Sequence, residues 1–178
     1  EESLPDVTFM KNTETHSVTK VGDRYEVIAG DETIEADAVV LAVPNETVRK
    51  VLKDESLQKN LNQFTTASAI TIYVGFNVPD RVLPADGTGF IVSHNSDLVC
   101  NASTWTSRKW KHTSKDGNLL VRLFYKNSNP RYEELVAMTD EQLIEVARQD
   151  VKLSLGIEAE PTIVNVTKWI DQMPRYDL

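Results

Sequence analysis

Apolar and polar residues alternate most regularly along residues 68–78, SAITIYVGFNV. The apolar positions recur at every second residue: Ile70, Ile72, Val74, Phe76 and Val78. Because successive side chains of a β-strand point to opposite faces of a sheet, this spacing predicts a strand with one strongly apolar face. A second alternating stretch, at 118–126, puts Leu119, Val121, Leu123 and Tyr125 on one face and Leu120, Arg122, Phe124 and Lys126 on the other.

The first 44 residues have the pattern of a β-meander. Strand-like runs at 15–21 and 24–30 end at the turn residues Gly22-Asp23 and Gly30-Asp31, and a third run extends from 32 to 44. The third run contains the apolar stretch Ala38–Val43, which is typical of a strand buried on both faces. Pro44 ends that stretch and is a favourable first residue for the helical pattern that follows it.

Helical patterns are strongest toward the C-terminus. Residues 129–138 are one candidate, and 139–156 are a better one, since they open with a capping box of Thr139 and Gln142 and end at Gly156. The expected apolar stripe of this helix is Ile144, Ala147, Val151 and Leu155. Further strand-like runs lie at 88–93, 97–105 and 161–170. The chain therefore predicts an α+β fold, a mainly antiparallel mixed β-sheet with helices packed on it.

The charge of the chain narrows the range of partners. The 27 acidic and 19 basic residues give a net charge of −8, so we expect no nucleic acid partner. The longest apolar run, at 38–43, is too short to predict a transmembrane segment. The segment 105–126 is nevertheless basic, with six Lys and Arg against one Asp. This segment is either a solvated face or a binding site for a small anion.

Arg122 is the most informative single residue. The alternation puts it between Leu120 and Phe124 on a largely apolar face. Removing its charge from water without an anionic partner costs several kcal/mol. Two partners fit this requirement: a carboxylate of the same chain, or a carboxylate of a ligand that the guanidinium binds through two parallel hydrogen bonds.

The sequence lacks the motifs that would indicate a complete catalytic or cofactor site within this chain. Its seven glycines form neither a GxGxxG motif nor a P-loop, and no serine lies in a GxSxG motif. The three histidines and the single cysteine, Cys100, do not have the spacing of metal ligands. We therefore expect this chain alone to supply no metal site and no catalytic residue.

Four segments of the sequence resemble a known group of enzymes. The segments VTKVGDRYEV (18–27) and IEADAVVLAVP (34–44) resemble the part of FAD-dependent amine-oxidase-like flavoproteins that precedes their substrate domain. The Trp-x-Ser-x-Lys-Trp block at 105–110 and VTKWIDQMPRYDL at 166–178 are similar to oxygen-dependent protoporphyrinogen oxidases, particularly the branch that acts on coproporphyrinogen III. The resemblance extends over essentially the whole chain.

This resemblance implies the central part of a longer flavoprotein with an FAD-linked amine-oxidase-like fold. The chain would begin after the glycine motif for the dinucleotide and stop before a C-terminal flavin segment. Residues 1–44 would be a β segment of the FAD-binding domain, with 39–43 in its sheet, and 45–178 would form the substrate-binding domain. The implied partners are the remainder of the FAD domain and a tetrapyrrole with carboxylates. FAD is expected in the full-length protein, and neither bound FAD nor turnover is expected of this chain alone.

The same resemblance points to particular site residues. The positions implied to lie near the cofactor are Val18, Ala42, Val43 and Pro44. The positions implied to contact substrate are Arg122, Trp105, Trp110 and Tyr176. Arg122 is the first choice for a propionate contact, whereas packing is the alternative role for the three aromatic residues. Pro44 is equally well explained as the start of a helix.

The implied activity is the removal of six electrons from coproporphyrinogen III or protoporphyrinogen IX, which yields a porphyrin for haem biosynthesis. FAD would accept hydride equivalents, and O2 would reoxidise it with release of hydrogen peroxide. Two alternatives remain: the central domain of another FAD amine oxidase or desaturase, and a non-enzymatic anion-binding module. The expected location is cytoplasmic, with or without peripheral contact with a membrane.

Overall fold

The computed structural model describes residues 4–83, 86–93 and 95–175, and within these ranges the strands form two sheets. The strands are β1 Thr15–Val21, β2 Arg24–Ala29, β3 Glu32–Ala36, β4 Thr65–Pro79, β5 Gly89–Ile91, β6 Ala102–Trp105, β7 Asn118–Lys126 and β8 Pro161–Arg175. The helices are α1 Asn45–Val51, α2 Glu55–Leu61, α3 Thr106–Lys109, α4 Tyr132–Ala137 and α5 Asp140–Leu155, with short 3₁₀ turns at Asp80–Val82 and Lys111–Thr113. The α+β prediction is confirmed. None of these helices is both long and apolar enough to cross a bilayer.

The chain divides into two compact units. One spans Ala67–Met173, and the other comprises the described residues on either side of it. The units are called the second and the first unit below. The assignment of 1–44 to an FAD domain and of 45–178 to a substrate domain stays a prediction.

The first unit contains the predicted β-meander. Strands β1, β2 and β3 pair in that order and are antiparallel throughout, and Gly22 has the positive φ of 62° that the first turn requires. Val18 of β1 is buried and packs with Val51 and Leu52. Val51 is the last residue of α1, and Leu52 follows it directly. This small core holds α1 against the meander.

The prediction of a buried strand at Ala38–Val43 is wrong for this structure. Strand β3 ends at Ala36, the following residues are irregular, and 90% of Val40 is exposed. The apolar sequence alone cannot form a strand, since each strand needs a neighbour for its backbone hydrogen bonds. Among the described residues, no strand lies beside this segment.

The helical pattern after Pro44 forms two short helices. Helix α1 ends at Val51, and Asp54 begins α2 by accepting a hydrogen bond from the Leu57 backbone N–H at 3.0 Å. Arg49 joins the two helices, because its guanidinium donates to the carbonyl oxygens of Leu61 and Phe64, each at 2.7 Å.

The second unit contains a five-stranded sheet in the order β5-β6-β7-β4-β8. Strands β5, β6, β7 and β4 are antiparallel neighbours, with Ile72 opposite Leu123 and Tyr73 opposite Arg122. The alternation predicted for β7 is confirmed. Its residues Leu119, Val121, Leu123 and Tyr125 are buried, as are Ile70, Ile72, Val74 and Phe76 of β4. These two sets form the centre of the larger core.

Helices α4 and α5 supply the other side of this core. The predicted capping box is present, since Thr139 and Gln142 exchange hydrogen bonds, and Gly156 ends α5 with a φ of 69°. The buried residues of α5 are Leu143, Ala147, Asp150 and Val151. The predicted stripe is confirmed at Ala147 and Val151, whereas Ile144 and Leu155 are only partly buried. The prediction omitted the buried Leu143 and Asp150.

Asp150 is the one charged residue buried in this core among the described residues, with 1% of its surface exposed. Its carboxylate accepts hydrogen bonds from the backbone N–H groups of Val99 and Cys100, both at 2.8 Å, and from the Tyr125 hydroxyl at 3.0 Å. Burial raises the pKa of Asp150 above its usual value, although these hydrogen bonds act in the opposite direction. Burial also raises the pKa of the Tyr125 hydroxyl. The cluster ties α5 to β7 and to the loop before β6.

Candidate functional site

The candidate site lies on the other face of the five-stranded sheet, within the second unit. A cavity of about 420 Å³ opens there. It is lined by Ala67, Ser68, Ala69, Thr71, Arg122, Phe124, Lys126, Asn127, Trp169 and Met173. Arg122, Phe124 and Lys126 of β7 reach this cavity because the odd-numbered residues of the strand point into the core. Among the described residues this lining is mostly apolar, with two basic residues and no acidic one.

Arg122 is held in this lining by two aromatic rings. Its guanidinium carbon lies 4.7 Å from the centre of the Phe124 ring and 5.1 Å from that of Tyr73. Such cation–π contacts stabilise an arginine that has lost part of its water. They satisfy none of its N–H donors, and the buried Nε has no hydrogen-bond partner among the described residues.

The two partners proposed for Arg122 can now be compared. The ion pairs found among the described residues involve Arg24, Arg49, Arg131, Arg148 and Lys152, and none involves Arg122. The internal carboxylate is therefore not observed in the described part of the chain. The guanidinium keeps donors available at the wall of an apolar cavity, which is the arrangement that a ligand carboxylate requires.

Trp169 forms a further wall of the cavity. Its indole Nε1–H donates to the hydroxyl of Thr71, which is buried on β4, at 3.0 Å. The hydrogen bond fixes the orientation of the indole ring on the edge strand β8. Thr71 lies opposite Phe124 in the β4–β7 register, and both aromatic side chains line the cavity. Together they form an apolar floor on which a flat ring can lie.

Two of the other predicted substrate residues, Trp105 and Trp110, are not among the described residues that line this cavity. Trp105 belongs to the core and is 6% exposed, which agrees with the packing alternative. Trp110 is 45% exposed, and the Nζ of Lys109 lies 4.7 Å from the centre of its ring. Tyr176 lies outside the described residues. The contact of any of these residues with substrate stays a prediction.

The predicted cofactor residues lie in the first unit. Val18 is a core residue whose carbonyl accepts a hydrogen bond from the Lys53 N–H at 2.9 Å. Ala42 and Val43 belong to the irregular segment before α1. Pro44 caps that helix, because its carbonyl accepts hydrogen bonds from Thr47 and Val48. The helix-start explanation of Pro44 is thus observed, and contact with a cofactor stays a prediction.

Sequence reasoning missed part of the cavity. Phe124 and Lys126 were placed on the face of Arg122 by the alternation of β7 but were not named as site residues. Thr71 and Trp169 come together only through the pairing of β4 with β8, two strands about a hundred residues apart. Only the pairing of these two strands, read from a structure, could have brought the two residues together.

The described residues show neither a glycine-rich phosphate loop nor a cluster of metal ligands. The glycines among them lie in turns and strands, and none belongs to a loop that could hold a phosphate. Among these residues, no three His, Cys, Asp or Glu side chains converge as metal ligands. The cavity of the second unit, by contrast, presents an apolar lining and two cations, a combination suited to an anionic ligand with an apolar ring.

The sequence is similar to known coproporphyrinogen III oxidases. It is 28% identical over 177 residues to that of Bacillus subtilis strain 168, an alignment that covers 99% of this chain and 37% of the relative. It is 25% identical over 171 residues to that of Staphylococcus aureus strain NCTC 8325, covering 96% and 36%. The chain thus spans little more than a third of the length of these curated relatives.

Solved structures show the same fold. A crystal structure from Exiguobacterium sp. 255-15, described as a "Putative protoporphyrinogen oxidase", aligns with a TM-score of 0.66 at 30% identity, over 92% of this chain and 35% of that one. Putrescine oxidase aligns with a TM-score of 0.71 at 16% identity, over 99% and 40%, which shows the fold alone. Residues 1–177 match the family described as flavin containing amine oxidoreductase. The resemblance seen in the sequence is confirmed, and the chain belongs to the flavin containing amine oxidoreductase family.

Proposed function

We propose that this chain is the substrate-binding central portion of an FAD-dependent porphyrinogen oxidase. The full-length protein would convert coproporphyrinogen III or protoporphyrinogen IX into the porphyrin, with O2 as the electron acceptor. In this proposal the cavity beside Arg122 receives one edge of the tetrapyrrole, and the guanidinium binds a propionate. The names of the relatives support the reaction class, and the cavity supports the kind of ligand.

One observation carries this proposal. Arg122 is a partly buried cation that lies over two aromatic rings, with a buried Nε that has no hydrogen-bond partner among the described residues. Leaving such a donor unsatisfied costs about 1–3 kcal/mol. A propionate would satisfy it, and the apolar floor beside it suits a pyrrole ring.

The alternative of an amine oxidase is less well supported. Its substrate would be a cation, and a cavity for a cation is expected to present carboxylates or aromatic rings alone. The part of the lining that the structure describes contains Arg122 and Lys126 and no acidic residue. Both charges would repel an ammonium group, so the likeness to putrescine oxidase is one of fold.

FAD would supply the redox chemistry in the full-length protein, as an acceptor of hydride equivalents. Because the described residues form no phosphate-binding loop, we assign no step of that chemistry to this chain. Its own contribution is to hold the ligand by Arg122 and to keep water from the ring that lies on Phe124 and Trp169.

Equilibrium dialysis tests the proposal. The chain is dialysed against coproporphyrin III, an air-stable porphyrin with four propionates, and the bound fraction is read from porphyrin absorbance. We expect saturable binding that weakens on the order of ten- to a hundredfold in Arg122→Ala, the range for losing a hydrogen bond to a charged group. Arg122→Lys keeps the charge but not the planar fork, and we expect an intermediate affinity.

Arg131→Ala is the matched control, because it removes an arginine from the same unit that already pairs with Glu134 and lies outside the cavity. Its affinity should equal that of the unmodified chain. An Arg122→Ala variant that binds coproporphyrin III as tightly as the control would refute the role of Arg122. Absence of saturable binding by the unmodified chain would refute the proposal for this cavity.

A further inference from the structure

We infer that Lys126 is a second carboxylate contact, which makes the cavity selective for tetrapyrroles that carry carboxylates on opposite edges. This inference rests on the proposed function and adds a specificity-determining residue to it. In chemical terms, a porphyrin with a propionate on every pyrrole ring would use both Arg122 and Lys126. A porphyrin with propionates on only two neighbouring rings would use one of them.

The geometry of β7 is the first support. Arg122, Phe124 and Lys126 project from the same face of this strand, and all three line the cavity. At about 3.4 Å per residue, the Cα atoms of Arg122 and Lys126 are separated by roughly 14 Å. Phe124 lies midway between them. A flat ring that covers Phe124 therefore directs one edge to each cation.

The surroundings of Lys126 are the second support. Its backbone N–H is fixed by the side chain of Asn101 at 2.7 Å, whereas no described carboxylate forms an ion pair with its ammonium group. The cavity beside it is formed by small and neutral residues, Ala67, Ser68, Ala69 and Asn127. The backbone of Lys126 is thus fixed by Asn101, while its ammonium group is available to a ligand.

The two cations differ in burial, and this difference predicts a different salt dependence for the contribution of each to binding. Lys126 is exposed and Arg122 is partly buried. Salt screens an exposed ion pair far more than a buried one. The contribution of Lys126 should therefore fade at high ionic strength, whereas that of Arg122 should largely persist.

The experiment compares two porphyrins with the unmodified chain, Lys126→Met and Arg122→Ala. Coproporphyrin III carries a propionate on each ring, and protoporphyrin IX carries two on neighbouring rings. Methionine keeps most of the apolar stem of lysine and removes the charge. Lys115→Met is the matched control, because Lys115 is an exposed lysine of the same unit that does not line the cavity.

At low salt we expect Lys126→Met to weaken coproporphyrin III binding about two- to fivefold and to leave protoporphyrin IX binding unchanged. At high salt the effect on coproporphyrin III should vanish. Arg122→Ala should weaken the binding of both porphyrins at both salt concentrations. Lys115→Met should change neither affinity.

Two results would overturn the inference. If the unmodified chain binds coproporphyrin III and Arg122→Ala weakens that binding, but Lys126→Met affects neither porphyrin or both equally, the proposed function stands and the role of Lys126 is wrong. If the unmodified chain shows no saturable binding of either porphyrin, the proposed function fails and this inference fails with it.

Discussion

Replacing Tyr125 with phenylalanine tests the buried cluster that holds the second unit together. The substitution removes one hydroxyl that donates to the Asp150 carboxylate at 3.0 Å and leaves the aromatic ring in the core. Two backbone N–H donors to the carboxylate remain. Since a hydrogen bond to a charged group contributes about 1.5–3 kcal/mol, we expect Tyr125→Phe to lower the free energy of unfolding by that amount near neutral pH.

The pH dependence of this loss has a definite sign. The pKa of Asp150 is raised by burial in the folded state, so the contribution of this group to stability is largest below the ordinary carboxyl pKa and is lost as pH rises through the folded value. Tyr125 donates to the ionised carboxylate and thereby opposes the rise. Removing it favours the protonated form further. The difference in stability between the two proteins should therefore be greatest at neutral pH and shrink as the pH becomes mildly acidic.

Urea unfolding followed by tryptophan fluorescence measures this loss, because Trp105, Trp110 and Trp169 all lie in the second unit. Tyr132→Phe is the control, since the buried Tyr132 hydroxyl has no carboxylate as a hydrogen-bond partner. We expect Tyr132→Phe to lower the free energy of unfolding only slightly. A loss in Tyr125→Phe that matches the control would show that the Asp150 hydrogen bond does not stabilise the fold. A loss that is the same at neutral and acidic pH would show that Tyr125 does not favour the ionised carboxylate.

Two further predictions concern local backbone constraints. A Cβ atom at Gly89 would lie 2.2 Å from the Ser103 carbonyl oxygen, so Gly89→Ala should cost about 1–3 kcal/mol in urea unfolding. Gly117→Ala, which has open space but a φ of 67°, should cost only about 1 kcal/mol, and equal costs would contradict the steric argument. Thr139→Ala removes the capping box shared with Gln142 and should lower stability by about 1 kcal/mol, measured in the same way. An unchanged unfolding midpoint in Thr139→Ala would show that the box does not stabilise α5.

The regular elements of this fold could be predicted where local signals agree with tertiary packing. The alternation of β4 and β7, the turn at Gly22 and the capping box of α5 each have a local physical cause, and each is present in the structure. The apolar segment Ala38–Val43 has strand-forming composition, but composition does not supply a neighbouring strand. Its irregular conformation therefore depends on pairing partners, which a local pattern cannot show.

From the sequence, the site could be predicted only where the pattern of a single strand identifies a residue. Arg122 was identified because alternation along β7 placed a charge on an apolar face, a signal contained in nine residues. The role of Trp169 depends on its hydrogen bond to Thr71, across a pairing that no local pattern encodes. Asp150 was missed for a related reason, since the helical pattern assigns carboxylates to the solvent face and its three donors come from β7 and a distant loop.

Strand β7 connects the stability of the core with the geometry of the candidate site. Its odd-numbered residue Tyr125 donates to Asp150, which also fixes the backbone just before Asn101. Asn101 in turn donates its backbone N–H to the Phe124 carbonyl at 2.7 Å and accepts a hydrogen bond from the Lys126 N–H, also at 2.7 Å. The buried carboxylate on one side of the sheet thus holds the strand end that presents Phe124 and Lys126 to the cavity on the other. Through these hydrogen bonds Asp150 helps to position the residues that we propose to contact the tetrapyrrole.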